Sequence, residues 1–294
     1  MPGFASISDI LNALSDELVS HTLGAEDVDK RVIHISTDTR TLNPADIFLA
    51  LEGERFDGHK FVEQALAVGA IAAITRQNVT KGNIPRIEVT DTLAAYQSLG
   101  RWWRQRLGLP LVAITGSVGK TTTKELIAAA LGLYGSVHKT RANFNNEIGV
   151  PKTLLEVTPA HNYAVVEMGM RGPGEIALLA KIAQPNVSVI TNVGTAHIGR
   201  LGSRQAIADA KCELLANMPA DGVAVLNQDN SRLMDTAAGA WSGKTITYGL
   251  TGGTVHGQIQ DQTIVVDGVA LPLPLQGEHN ALNYLSAIAT LQAL

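Results

Sequence analysis

Residues 111–123 read LVAITGSVGKTTT: an apolar run, a glycine-flanked turn, then a lysine and three threonines. Each type answers a need of phosphate chemistry. Gly116 and Gly119 permit unusual φ/ψ values and leave room for phosphate oxygens beside the backbone amides. A helix opening at Lys120 aims its free N–H groups and positive dipole end at an anion. Lys120 can reach terminal phosphates, and Thr121 can place its hydroxyl on Mg²⁺. Loops of this kind usually carry a glycine where Ile114 stands. A plain strand–turn–helix junction with capping threonines is therefore the competing reading.

Four further segments hold groups that could act beside such a loop. Glu167 ends the apolar run YAVVE, and a hard carboxylate there is a natural Mg²⁺ ligand or else a solvated loop acid. His197 follows the next apolar run, as a metal ligand or as a half-buried imidazole. Lys211 falls four residues after Ile207 and three before Leu214, on the inward stripe of a helix. Burial there favours its neutral amine, which can take up CO₂ as a metal-binding carbamate. The alternative is a lysine whose stem packs while its head escapes to water. In GEHNALN, residues 277–283, His279, Asn280 and Asn283 either face an adenine or simply open a helix capped by Asn280.

Elements must bring these groups together. Residues 111–114, 163–166, 187–190 and 223–226 are short and β-branched, and helical patterns lie between them at 120–133, 174–182 and 204–215. Alternation of this kind implies a parallel sheet covered by helices on both faces, with ligands beyond the carboxyl ends of the strands. Residues 245–249 and 263–275 read as a β-rich tail, and 280–294 as a closing helix. Upstream, 32–35, 47–51 and 70–75 read as strands and 61–68 as a helix ending at Gly69. A polar stretch over 77–85 puts a domain boundary near residue 84, so the expectation is α/β domains over 1–84 and 85–294. The helical pattern at 91–107 then opens the second domain.

Composition narrows the function classes. With 45% hydrophobic residues among 294 the chain can bury a substantial core. A net charge of −4 and 4% aromatics leave no basic stripe or stacking platform for nucleic acid. No apolar run approaches the roughly 20 residues of a membrane span. A single cysteine, Cys212, forbids an internal disulfide and suits a reducing compartment. The start of the chain lacks signal-peptide character, so a cytoplasmic protein is expected, with a monomer favoured.

The phosphate loop at 115–123 resembles the shortened loop of the Mur ligase family of bacterial cell-wall synthesis, which accounts for Ile114. Further similarities are NFNNEIGVPKTLL (143–155), VVEMGM (165–170), TNVGTAHIGRLGS (191–203), AKCEL (210–214), LNQDN (226–230) and GEHNALN (277–283). STDTR (36–40) and FLALEGERFDGHKF (48–61) resemble the family's N-terminal domain. The resemblance implies a small N-terminal α/β domain for a uridine nucleotide, then a parallel-sheet ATP-binding domain of P-loop type. NFNNEIGVP and GSVGKTTTKE are most similar to the member that uses ATP to join D-Ala-D-Ala to UDP-N-acetylmuramoyl-tripeptide through an acyl phosphate.

Carried over by position, the resemblance assigns ATP to Gly116, Ser117, Gly119, Lys120, Thr121, Thr122, Asn146, Asn280 and Asn283. Asn145 shares the segment of Asn146, and which of the two meets the phosphates stays open. Mg²⁺ falls to Thr121, Glu167, His197 and a carbamylated Lys211; Lys120, Lys211 and His197 become the catalytic set. Ser36, Asp38, Arg40 and the turn over 53–59, with Asp57 and His59, are left for the uridine nucleotide. Family members carry a third domain past the helix near Asn280, whereas this sequence stops at Leu294. The expectation is domains one and two only, binding nucleotide but turning over poorly alone. Competing readings are a sister amide ligase, a P-loop kinase or regulatory ATPase, and a nucleotide-binding module without turnover.

Overall fold

The computed structural model describes residues 4–53, 56–79, 82–273 and 275–294. The chain forms two compact units, Met1–Arg106 and Leu107–Leu294. The helix Thr92–Leu107 therefore belongs almost wholly to the first unit, and the division falls later than the residue 84 suggested by polar composition. Part of that polar stretch precedes a strand, Arg86–Val89, whose alternating half-buried and buried residues hide its apolar face.

The first unit is built on a five-stranded sheet in the order Leu18–His21, Arg86–Val89, Ala72–Arg76, Ile47–Leu49, Ile35–Ser36. All neighbours are parallel except the edge strand Leu18–His21. Residues 32–35, expected as one strand, split into Arg31–Val32 and Ile35–Ser36, which pair in different sheets. The helix Val62–Val68 follows a 3₁₀ turn at Gly58–Phe61 and stops at Gly69, whose φ of +119° a side chain would resist. Its buried Val62 and Ala65 close one core with Leu42, Phe48, Ala50, Ala70 and Ala73.

The second unit carries nine strands, among the described residues, in the order Val137–Lys139, Tyr163–Glu167, Leu111–Thr115, Val187–Ile190, Val223–Asn227, Thr245–Gly249, Val255–Gln260, Thr263–Val266, Val269–Pro272. The first seven run parallel and the last two are antiparallel. Side chains alternate across a strand, so each central strand feeds two cores. Leu111, Ala113, Ala164 and Val166 pack with Ile176, Leu179, Ile207 and Leu214, from the helices Glu175–Ala183 and Arg204–Ala216. Val112, Ile114, Val165 and Val189 face the other way, towards Ile127, Leu131, Ala281 and Leu285, from the helices Lys120–Leu131 and Glu278–Ala293. Ile114, where a glycine is usual, is fully buried and serves as core.

Several elements escaped the sequence pattern. Gly149–Leu155 opens with Gly-Val-Pro, yet Pro151 sits in the first turn, where its missing N–H costs nothing. Ser231–Ala240 buries only Leu233 and Ala237, too thin a stripe to register. The closing helix starts at Glu278 and is capped by Gly277 without a side-chain bond, so Asn280 is not its cap.

His138, on the edge strand Val137–Lys139, is buried beside Glu156 and His161, and its Nε2 lacks a hydrogen-bond partner. Burial, reinforced by the His161 charge, lowers its pKa from 6.5 to about 4. The folded state thus binds fewer protons than the unfolded state between those values, and stability falls as pH drops through them. Urea unfolding is expected to lose about 2–3 kcal/mol from pH 6.5 to pH 4 through this group. His138→Leu should flatten that slope; an unaltered slope would contradict the assignment.

Candidate active site

The loop after the central strand is held open by its own sequence. A Cβ at Gly116 would lie 1.9 Å from Thr191 Oγ1, and one at Gly119 (φ +85°) would lie 2.4 Å from Asn283 Oδ1. Neither position admits a side chain. The loop backbone is pinned from the next strand's end. Ser117 N donates to the Asn192 carbonyl at 3.1 Å, Val118 N to Asn192 Oδ1 at 3.1 Å, and Thr191 Oγ1 to the Val118 carbonyl at 2.7 Å. Ser117 Oγ accepts from Gly194 N at 2.8 Å, so this hydroxyl braces the loop. Gly119 caps the helix Lys120–Leu131 with no side-chain bond, leaving the first turn's N–H groups to serve a ligand. Thr122 is half-buried and makes no side-chain hydrogen bond among the described residues. Lys120 folds back to donate to the Gly116 carbonyl at 2.8 Å; burial lowers its pKa, with the Glu167 charge opposing.

Glu167 lies beside the loop because its strand pairs in parallel with the central one, Ile114 opposite Glu167. It is 3% exposed. Thr121 Oγ1 donates to its Oε2 at 2.9 Å and Asn145 Nδ2 to its Oε1 at 2.9 Å, while its own N–H donates to Thr140 Oγ1 at 3.0 Å. Of the two asparagines left open by sequence, Asn145 is therefore the one at the carboxylate. Asn146 Oδ1 accepts from Gly149 N at 2.9 Å and starts the next helix, lining a cavity of about 160 Å³ with Gly169, Arg171 and Glu175.

His197 takes a left-handed φ of +70° ahead of the short helix Ile198–Leu201. Burial lowers its pKa first, then the charges of Lys211 and Lys120. Lys211 is 1% exposed, and burial followed by the Lys120 charge brings its pKa to about 7. Its inward placement is as the helical spacing requires, and the packed stem does not reach open solvent. The charge of Lys120 is felt at both Lys211 and His197. No trio of His, Cys, Asp and Glu able to hold a metal gathers among the described residues. The donors here are instead a hydroxyl and a carboxylate in contact. That set fits Mg²⁺, which takes one or two carboxylates and completes its shell from phosphate and water.

Asn283 is buried, with Oδ1 accepting from Thr123 Oγ1 at 3.3 Å, and so backs the loop. Asn280 donates to the Gln276 carbonyl at 2.8 Å. Composition gave no hint of Thr140, Lys124 or Asn192. Thr140 and Asn192 share one signal, a polar residue just past the carboxyl end of a buried strand, whereas Lys124 lies on the loop's own helix.

In the first unit a cavity of about 530 Å³ is lined by Thr37, Asp38, Thr39, Arg40, Phe56 and Phe61, among others. Asp38 holds Arg40 through contacts of 2.6–3.1 Å, and the Phe56 and Phe61 rings stack at 5.8 Å. Ser36 is buried, its hydroxyl donating to the Asp38 carbonyl at 3.0 Å. Residues 54 and 55 of the expected turn lie outside the described residues; Glu52–Gly53 and Phe56–Asp57 pair on either side. His59, expected beside the uridine nucleotide, is held within the fold. Its ring is buried, with Nδ1 on Asp57 Oδ1 at 2.8 Å and Nε2 accepting from Arg76 N at 2.9 Å. Both ring nitrogens are engaged within the fold, and Asp57 is the residue that orients them.

The model of the Mur ligase middle domain matches residues 114–291, and that of the Mur ligase family catalytic domain matches residues 31–102. The chain belongs to the Mur ligase family. It is 58% identical to the UDP-N-acetylmuramoyl-tripeptide–D-alanyl-D-alanine ligase of Synechocystis, over 98% of this chain and 64% of that protein. Among solved structures, MurF from Acinetobacter baumannii superposes with a TM-score of 0.86 at 34% identity, covering 98% of this chain and 65% of that one. MurF from Thermotoga maritima in complex with ADP gives 0.78 at 29%, covering 88% and 62%. The chain thus spans just under two thirds of the length of these relatives.

Gly116→Ala should abolish measurable ATP binding, because its methyl cannot coexist with Thr191 Oγ1 without moving the loop. Fluorescent-nucleotide titration checks this, with circular dichroism confirming the fold. Retained affinity would show that the loop is not the phosphate site.

Proposed function

We propose that this chain provides the nucleotide-binding and carboxylate-activating parts of an ATP-dependent ligase that adds D-alanyl-D-alanine to UDP-N-acetylmuramoyl-tripeptide, in the cytoplasm. The observation that carries the reading is the contact between Thr121 and Glu167 at the mouth of a glycine-opened loop, both at the carboxyl edge of a parallel sheet. The names of the similar ligases supply the substrates.

In this reading the phosphates of ATP rest on the amides of residues 119–121 at the uncapped helix start, and Lys120 leaves the Gly116 carbonyl for the terminal phosphates. Thr121 and Glu167, with His197 as a further donor, would hold Mg²⁺, which would supply charge neutralisation at the phosphate oxygens. The tripeptide carboxylate attacks the γ-phosphorus and ADP leaves, giving an acyl phosphate. The D-Ala-D-Ala amine then attacks the acyl carbon, the tetrahedral intermediate expels phosphate, and the amide remains. Lys120 spreads the charge of the transferring phosphoryl group. In the first unit, Arg40, held by Asp38 with its guanidinium exposed, serves the uridine nucleotide, and the Phe56–Phe61 faces offer stacking for its base.

Lys211 enters as a carbamate. At a pKa of about 7 a substantial share of its amine is neutral at physiological pH, and the carbamate turns a buried cation into an anionic metal ligand beside Lys120. With ¹³C-labelled bicarbonate, a carbamate resonance should grow as pH rises through about 7, where the neutral amine becomes dominant, and be missing from Lys211→Arg. Its absence from the unaltered chain under those conditions would remove the carbamate.

Calorimetry tests the reading as a whole. ATP should bind in a Mg²⁺-dependent manner, and Lys120→Ala should weaken it by about tenfold or more, as expected for a lost charged hydrogen bond. UDP-N-acetylmuramoyl-tripeptide should bind as well, more weakly in Arg40→Ala. A chain with no affinity for either ligand contradicts the proposal.

A further inference from the structure

Lys124 is a buried charge that the reaction above does not use. It is 2% exposed, and an ammonium so placed is costly unless it is paired and hydrogen-bonded. It stands three residues after Thr121, on the same face of the helix Lys120–Leu131. Its Nζ donates to the Thr140 carbonyl at 2.9 Å, and lies 3.3 Å from Glu125 Oε1 and 3.9 Å from Glu167 Oε2. Thr140 is itself buried. It donates its N–H to the Val165 carbonyl at 3.0 Å and accepts the Glu167 N–H on its hydroxyl at 3.0 Å.

Glu167 is therefore gripped by Asn145 on Oε1, by Thr121 on Oε2 and by Thr140 at its backbone. Lys124 ties down Thr140 and brings its Nζ within 3.9 Å of the oxygen that Thr121 also holds. We infer that Lys124 is a positioning residue, which acts with Thr140 to keep the Glu167 carboxylate aimed at the Mg²⁺ that accompanies the nucleotide. The inference rests on the nucleotide-binding reading above. A different role for the same lysine would have the opposite sign. At this distance a cation repels a divalent ion, so a lysine acting by charge alone would weaken Mg²⁺ binding, and its removal would tighten it.

Lys124→Met keeps most of the stem and deletes the ammonium; Thr140→Val cuts the bond to the Glu167 N–H and leaves Lys124 in place. ATP affinity of each variant is measured by calorimetry across a Mg²⁺ series and in EDTA, with melting curves confirming a folded chain. Each variant should raise the half-saturating Mg²⁺ concentration by about tenfold, the cost usual for groups that orient a metal ligand. Affinity in EDTA should stay unchanged, and the double variant should shift little beyond either single one. If Lys124→Met fails to fold, Thr140→Val alone decides. An unchanged or lowered Mg²⁺ requirement, or equal losses with and without Mg²⁺, overturns the inference. If the unaltered chain binds no ATP in either condition, the nucleotide reading itself fails and this inference falls with it.

Discussion

Charge imbalance at the carboxyl edge of the parallel sheet governs this structure. Lys124 and Lys211 are buried almost completely and Lys120 partly, whereas Glu167 is the fully buried carboxylate among them. Desolvation alone would push such ammonium groups towards neutrality, and Lys120 and Lys211 both show that displacement. In the proposed reading a polyphosphate answers the charge of Lys120, carbamate formation removes that of Lys211, and the loop amides at the start of the helix Lys120–Leu131 supply the polyphosphate's hydrogen bonds.

The scaffold answers that demand with small, stiff residues. Four neighbouring strands, Tyr163–Glu167, Leu111–Thr115, Val187–Ile190 and Val223–Asn227, are nearly all buried Val, Ile, Leu and Ala, and cannot shift without opening a core on each face. Their carboxyl ends deliver Glu167 opposite Ile114, and Thr115, Thr191 and Asn227 within the next two positions. Thr191 then works as a hub: its hydroxyl takes the Val118 carbonyl, and its own carbonyl accepts Asn227 Nδ2 at 3.0 Å and Tyr248 OH at 3.3 Å. The phosphate loop is thus organised before any ligand binds, which spares the binding free energy the cost of ordering it.

Much of this was legible in the residues. Strand–turn–helix around Gly116 and Gly119, the alternation behind it, the inward Lys211 and the strand-end Glu167 all follow from period and glycine chemistry. Weakly patterned elements were not. Gly149–Leu155 hides behind a proline, and Arg86–Val89 behind a polar approach, which also displaced the domain boundary. Nor does sequence distance reveal that Thr140 and Glu167 share a hydrogen bond, or that His59 spends both ring nitrogens on Asp57 and Arg76. Motif resemblance marked His59 for the nucleotide; its contacts with Asp57 and Arg76 are visible only in the fold.

The most direct test of the account is a crystal structure of this chain with ADP and Mg²⁺. The account predicts β-phosphate oxygens within hydrogen-bonding distance of the amides of Gly119, Lys120 and Thr121, Lys120 Nζ moved from the Gly116 carbonyl to that phosphate, and the cation beside Thr121 and Glu167. A nucleotide bound elsewhere, with Lys120 still on the Gly116 carbonyl and Thr121 still on Glu167, would contradict it.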